Sequence, residues 1–358
     1  MSIYNHRDAI RGSSVIREQG PVYADGRPTP SLSLRADDHG PVYLHGRGPR
    51  QCDVNGARDA WVWEVDGKYY MHYDGAGPTG WLSCLATSED MVHWEPHGSV
   101  LELGMPGEDD SAGAIYGTTY QDDAGRWHMF YLATPNAHPN GLVPMFPYLT
   151  AKAESDAPAG PWRKRQDIVP FHLKPGTYYS LCGSPGHIIK HQGEYLMYFS
   201  STTEPKGPDA ASGACVLRTL GIARTRDLDG SWTVDPQPLV PVSEQIENTS
   251  LYFEKATSTW FLFTNHIGLV AGLEYTDAIW VYWSKDLNRW DPQNKATVLD
   301  GKNCRWSKQC VGLPAVVRVG DRLGILYDAP RDGGFDHMQR DIGLAWLNLP
   351  LRVPGDEA

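Results

Sequence analysis

The 358-residue chain has no run approaching 18 consecutive apolar residues, and its start, MSIYNHRDAIRGSSVIREQG, lacks the apolar stretch of a secretory signal. No membrane partner is expected, and the chain reads as soluble and cytoplasmic. It also lacks a block of Lys or Arg, and its formal net charge is −11, the wrong sign for gripping a phosphate backbone, so nucleic acid is not an expected partner. Cysteine is scarce. Six are scattered (Cys52, Cys84, Cys182, Cys215, Cys304, Cys310) with no CxxC pair, which argues against a zinc finger and leaves free thiols as the expectation.

Glycine (37), proline (27), Tyr (18) and Trp (13) are plentiful, a composition that suits many short strands joined by turns better than long helices. The strands repeat. Five segments each join a small or polar turn to an aromatic-rich strand: GKYYMHYDG (67–75), GRWHMFYLA (125–133), GEYLMYFSS (193–201), STWFLFTNH (258–266) and DRLGILYDA (321–329). Their starts lie 58 to 68 residues apart, enough for a four-stranded unit with loops. Each is preceded by a strand-like run and followed by a third strand. The expected fold is all-β, a single five-bladed β-propeller over 51–358, with residues 1–50 as an N-terminal arm that closes the ring.

Four third strands end in a turn where an Asp precedes a Trp: Asp90 and Trp94, Asp156 and Trp162, Asp227 and Trp232, Asp286 and Trp290. Recurrence points to structure, with Asp holding turn N–H groups and Trp filling the gap between units. These four carboxylates are set aside as catalytic candidates. Two insertions, 135–150 and 202–220, interrupt the pattern and are candidates to wall a pocket.

The first strand of each propeller blade lines the central channel, so residues entering those strands face one funnel. The entries are Asp59, the segment Asp110 to Ala114, Ser184, Glu247, and Gly312 to Pro314. Only two place a carboxylate directly at the entry, and an acid aimed into water has no packing reason to be there. Asp59 and Glu247 are therefore the candidate catalytic pair, since glycoside hydrolysis uses two carboxyl groups flanking the bond that breaks. The alternatives are an ion pair with Arg58 for Asp59 and a hydrogen-bonding role for Glu247.

RDAWVWEVDGKYYMHY followed by LATSEDMVHWE resembles the first blade of glycoside hydrolase family 43 and its relatives in families 32, 117 and 130. IENTSLYF resembles the family 43 strand that carries the general acid. The resemblance spans roughly residues 55–350. It implies Asp59 as general base, Glu247 as general acid, and a middle Asp that falls here on Ser184. Serine cannot raise the acid's pKa by repulsion, so Asp110 is preferred as its substitute over Glu204. His187 is a candidate hydrogen-bond donor to sugar hydroxyls. Asp53, in CDVNG, resembles the family 32 nucleophile motif but lies farther from the GKYY strand than that pattern wants.

No cofactor is expected to be required. The resemblance does imply a structural calcium in the central channel, with His337 as the candidate ligand. Arg340 with His337 is alternatively a site for a ligand's phosphate or carboxylate, or part of a salt-bridge network. Trp61, Tyr116, Tyr178 and Tyr179 are candidates to stack on sugar faces. The function expected is an arabinofuranosidase- or xylosidase-like glycosidase acting on a terminal sugar, inverting. A phosphorylase of the family 130 type and a non-catalytic carbohydrate-binding propeller are the alternatives.

Overall fold

A computed structural model describes residues 12–204, 216–270, 273–331, 334 and 338–356. Among these the chain is all strand and turn, with only two three-residue 3-10 turns, Pro49–Gln51 and Val242–Glu244. No helix among them is long and apolar enough to cross a membrane, and the five cysteines among them carry no disulfide.

The repeat seen in the sequence becomes five antiparallel runs in chain order. The first pairs Ala57–Val65, Lys68–Gly77, Gly80–Ser88 and Glu95–Ser99, and the second Gly113–Gln121, Trp127–Thr134, Leu149–Ser155 and Arg163–Lys164. A short parallel contact, Trp81–Leu82 on Gly113–Ala114, joins these two into one eight-stranded sheet. The third begins with the split strand Cys182–Ser184 and Ile188–His191, both pairing Glu194–Thr203, and continues through Leu217–Thr225 and Thr233–Val234. The fourth is Ile246–Glu254, Thr259–Val270, Leu273–Ser284 and Lys295–Asp300.

The fifth run, Gly312–Val319, Arg322–Pro330 and Arg340–Asn348, takes its outer strand from the other end of the chain, Asp37–Tyr43. Part of the expected N-terminal arm is thus a sheet strand. Short strands Leu32–Ser33 and Ile16–Arg17 extend the fourth run in the same way. Turn chemistry sets the hairpins. Asp66–Gly67 and Gln192–Gly193 both place two successive residues at positive φ (52° and 82°, 50° and 83°), as a tight turn matching the twist of its strands demands.

The recurring tryptophans show how the runs pack. Trp162 of the second run meets His72 of the first at 5.6 Å between ring centroids, Trp232 of the third meets Phe130 of the second at 5.4 Å, and Trp290 of the fourth meets Tyr198 of the third at 6.4 Å, all edge-on. Trp94 of the first run shares a core with Leu326 and Leu344 of the fifth. The second, third and fourth units therefore each set their Trp against the preceding one, and the first sets its Trp against the last. Three of the four Asp residues do the turn work: Asp90 Oδ1 accepts from the N–H groups of Val92 and His93, Asp227 Oδ1 from Asp229, and Asp286 Oδ1 from Asn288, whereas in the turn of Asp156 it is Ser155 Oγ that accepts, from the Ala157 N–H.

Candidate active site

Four of the five first strands carry a β-bulge at the same place, and each bulge holds a residue at positive φ: Asp59 (52°), Tyr116 (21°), Asn248 (60°) and Leu313 (60°). In the third run Pro185 and Gly186 break the strand at the corresponding point. Bulges re-aim side chains out of a pleat, and such backbone settings are strained for residues other than glycine. All five breaks line one small cavity of about 30 Å³, with Trp61 and Thr118 beside them. Above it opens a larger cavity of about 250 Å³, which shares Asp59, Tyr116, Asn248 and Leu313.

The larger cavity collects Asp59, Glu247 and Ser184 from the sequence candidates, together with Arg58, Asp74 and Arg218. Val143, Pro144, Phe146 and Tyr148, from the first insertion, wall it. On one side the Asp59 backbone N–H donates to Asp328 Oδ2 at 2.9 Å, and Arg58 Nε stands 3.7 Å from Asp59 Oδ2 and 4.0 Å from Asp328 Oδ2. Arg58 also lies over the Trp81 ring at 5.6 Å. Asp74 sits directly across the strand pair from Arg58. Its Oδ1 accepts from the Tyr116 N–H at 2.6 Å. Burial raises the pKa of both Asp59 and Asp74; Arg58 opposes the rise, and for Asp74 the neighbouring Asp59 charge adds to it.

Across the cavity Glu247 Oε2 is 3.2 Å from Arg218 Nε, and its Oε1 accepts from Asn265 Nδ2 at 3.4 Å. Arg218 Nη1 reaches on to Glu274 at 2.8 Å. Asn248 donates its backbone N–H to Ser200 Oγ at 2.7 Å and its side chain to Asn265 at 3.1 Å. Ser184 Oγ lies 3.1 Å from Cys182 Sγ, whose pKa burial lifts to about 11.

Three solved structures illustrate what this arrangement is similar to. The catalytic domain of the Coprinopsis cinerea family 62 α-L-arabinofuranosidase matches with a TM-score of 0.60 at 13% identity, over 88% of this chain and 97% of that one. A structure described under the family 130 mannoside phosphorylases, containing hydrolases that target β-1,2 mannosidic linkages in Candida mannan, matches with 0.61 at 16% identity, over 90% and 95%. A thermostable family 43 glycoside hydrolase matches with 0.56 at 15% identity, over 88% and 98%. The chain has the propeller fold of these glycoside hydrolase structures. No family model and no curated protein sequence matches it.

Several expected site residues sit elsewhere in the propeller. Asp110 does not reach the cavity: its Oδ2 takes the Tyr131 hydroxyl at 2.8 Å and Lys164 Nζ at 2.5 Å, and it lines a separate pocket of about 300 Å³ between the second and third runs. Arg340 is buried, donating to Asp328 Oδ1 at 2.7 Å, Thr276 Oγ1 at 3.2 Å and Cys310 Sγ at 2.9 Å. It braces the carboxylate behind Asp59. His187 accepts from the Leu251 N–H at Nδ1 and packs edge-on to Trp61, and burial lowers its pKa to about 4, so it stays neutral inside the fold.

Trp61 donates to Thr119 and lines only the small lower cavity. Glu204 is exposed at the end of a strand. Tyr178 and Tyr179 are core residues against Phe199, whereas Tyr116 does line the cavity. Asp53 is fully buried and takes Tyr43, Tyr73 and two backbone N–H groups, which fits a structural corner and not a nucleophile. His337 lies outside the described residues. Among the described residues no group of three or more His, Cys, Asp or Glu is placed to hold a metal ion.

Arg58 was expected only as an ion-pair partner of Asp59, and it stands beside it; Asp74, Arg218 and Asp328 were not anticipated. Two of them belong to the repeat: the eighth residue of the five aromatic segments is Asp74, Leu132, Ser200, Asn265 and Asp328. Asp74, Leu132 and Ser200 line the cavity, Asn265 bonds Glu247, and Asp328 bonds Asp59. Aligning the second strands as the first strands were aligned would have found them.

Proposed function

We propose that the chain is a five-bladed propeller glycosidase that removes a terminal sugar of arabinofuranosyl or xylosyl type, with inversion, using Asp59 as its general base and Glu247 as its general acid. The observation that carries this is the convergence of the two carboxylates, from non-consecutive blades, on one walled cavity. Five blades are favoured because one break from each run meets the others around the small lower cavity. At about 250 Å³ the upper cavity is near the small end of ligand pockets (~300–1,000 Å³) and suits one sugar unit rather than a long chain.

Rigid strand ends hold both acids, so little reorganisation is needed when the glycosidic bond lengthens. Phosphorolysis is disfavoured because both arginines of the cavity are engaged by carboxylates. A calcium in the channel would need ligands beyond Asp59, the one carboxylate among the described residues that lines the small cavity.

Wild type, Asp59→Asn and Glu247→Gln assayed on a panel of aryl glycosides and oligosaccharides test the proposal. Hydrolysis independent of phosphate is expected, falling about 10²–10⁴-fold in each variant. Undiminished hydrolysis in both variants would refute the site. Binding without turnover by the wild type would refute the enzyme.

A further inference from the structure

Glu247 is held by the strand beside it, and that strand is gripped from the other end of the chain. Four consecutive residues of Thr259–Val270 divide the work. Thr264 Oγ1 donates to the Glu247 carbonyl at 2.6 Å, and Asn265 Nδ2 donates to the Glu247 carboxylate at 3.4 Å. The next two residues meet the N-terminal arm. His266 Nδ1 lies 2.7 Å from Asp277 Oδ1, and Asp277 Oδ2 accepts from the Tyr23 hydroxyl. The Ile267 carbonyl accepts from Arg27 Nη1.

The arm grips where the sheet is interrupted. Pairing of Thr259–Val270 with Leu273–Ser284 slips between His266 and Ile267, which leaves Asp277 as the extra residue of a bulge. A bulge breaks the ladder and lets a strand bend, so contacts from outside the sheet help to fix the angle at which Thr264 and Asn265 meet Glu247. The grip also reaches the arginine of the site. Ile267 donates its N–H to the Gln245 carbonyl at 2.8 Å, and the buried Gln245 side chain accepts the Arg218 N–H at 3.1 Å.

The arm is shaped for this contact. Its loop is closed at the base by the Glu18 N–H on the Ser31 carbonyl at 3.1 Å and the Gly20 N–H on the Pro30 carbonyl at 2.9 Å. At the tip, YADGR (23–27) makes a tight turn in which Gly26, at φ 76°, donates to the Tyr23 carbonyl at 3.1 Å. Arg27 lies over the Tyr23 ring at 5.7 Å, and its Nη2 is 2.6 Å from Asp25 Oδ2, with both side chains buried. A buried ion pair adds little net stability because desolvation offsets the attraction. What it supplies here is direction: Asp25 engages Nε and Nη2 of Arg27, and Nη1 points to Ile267.

We propose that the turn at residues 23–27 is a positioning element for Glu247: by fixing Asp277 and Ile267 it aims the Glu247 carboxyl at the departing sugar oxygen. This rests on the hydrolase proposed above, with Glu247 as its general acid. Neither Tyr23 nor Arg27 lines the cavity, so their effect passes through the strand.

Tyr23→Phe and Arg27→Met each remove one bridge and are assayed on aryl glycosides of graded leaving-group acidity. A displaced general acid harms poor leaving groups, which need its proton, and spares activated ones, which depart without it. The loss in kcat/KM should therefore grow to about 10-fold or more for the poorest leaving group and stay small for the best. Arg27→Lys, which keeps a donor for Ile267, should lie nearer to wild type. A loss equal across the series, or no loss, would overturn the proposal; if Arg27→Met does not fold, Tyr23→Phe decides.

Amide hydrogen exchange reads the same contact without substrate. In both variants exchange should quicken over residues 264–267 and keep its wild-type rate over Arg322–Pro330 in the fifth run. Unchanged exchange at 264–267, or a rise everywhere, would overturn the positioning role. If the wild type turns over no glycoside, the hydrolase reading fails, while the exchange result still decides whether the arm fixes the stretch that holds Glu247.

Discussion

On the side of the cavity built by the first and last units, Asp59, Asp74 and Asp328 crowd around Arg58 and Arg340, whereas on the fourth unit's side Glu247 and Glu274 divide Arg218 between them. Both sides use the same parts: a bulged first strand, a polar eighth residue on the second strand and an arginine facing the carboxylates. They differ in what stands beside the candidate carboxyl: Asp59 lines the cavity together with a second carboxyl residue, Asp74, whereas Glu247 is held 3.2 Å from Arg218. Equivalent positions of a repeat can therefore be given different surroundings by one adjacent residue, without changing the backbone that holds them.

Arg218→Gln should break this contrast most. With the guanidinium gone, Glu247 Oε2 loses the partner that holds it at 3.2 Å, and kcat/KM should fall about 10-fold or more, as expected for loss of a charge-assisted contact. A kcat/KM unchanged from wild type would show that Arg218 does not position Glu247.

Asp74→Asn sharpens the contrast through stability. Below about pH 4 both the native and unfolded carboxyls are protonated and nothing is gained by removing one. As pH rises through the ordinary carboxylate range the unfolded chain ionises first, and the wild type loses stability up to the raised native pKa values of Asp59 and Asp74. The variant should therefore match wild type near pH 3–4 and exceed it by about 1–2 kcal/mol at neutral pH, as read by denaturant unfolding. A variant less stable at neutral pH would show that the pair is not repulsive.

The smallest effect is expected from Asp110→Asn. That carboxylate belongs to the neighbouring pocket with Lys164 and Tyr131, so kcat/KM should stay at the wild-type value. A large loss would tie the second pocket to the reaction.

The architecture was legible because the repeat states it many times. Five aromatic segments and four Asp–Trp turns each carry the same local message, and one poor match does not erase it. The site is stated once. Asp59 and Glu247 could be picked out because an acid at a strand entry has no packing role. Asp74 could not be picked out on those grounds, since an acid inside GKYYMHYDG reads as the end of a hairpin until its cross-strand partner Arg58 and its place in the wall of the same cavity as Asp59 are known. Arg340 failed for the opposite reason: a segment rich in charge suggested a ligand, but the guanidinium turns inward to Asp328. Asp110, three residues ahead of its strand at Gly113, faces away because the chain has not yet entered the funnel.

The pairing of Asp37–Tyr43 with Arg340–Asn348 has a bearing on biogenesis. The outer strand of the last unit is made early by the ribosome and must wait, its edge unsatisfied, until the final strand at Arg340–Asn348 has emerged. Asp38 adds to this late capture by holding Tyr327 and the Arg305 N–H. Tyr327 precedes Asp328, which anchors Asp59. A chain without Arg340–Asn348 would keep Asp59 and Asp328 and still lack the guanidinium that braces the Asp328 carboxylate.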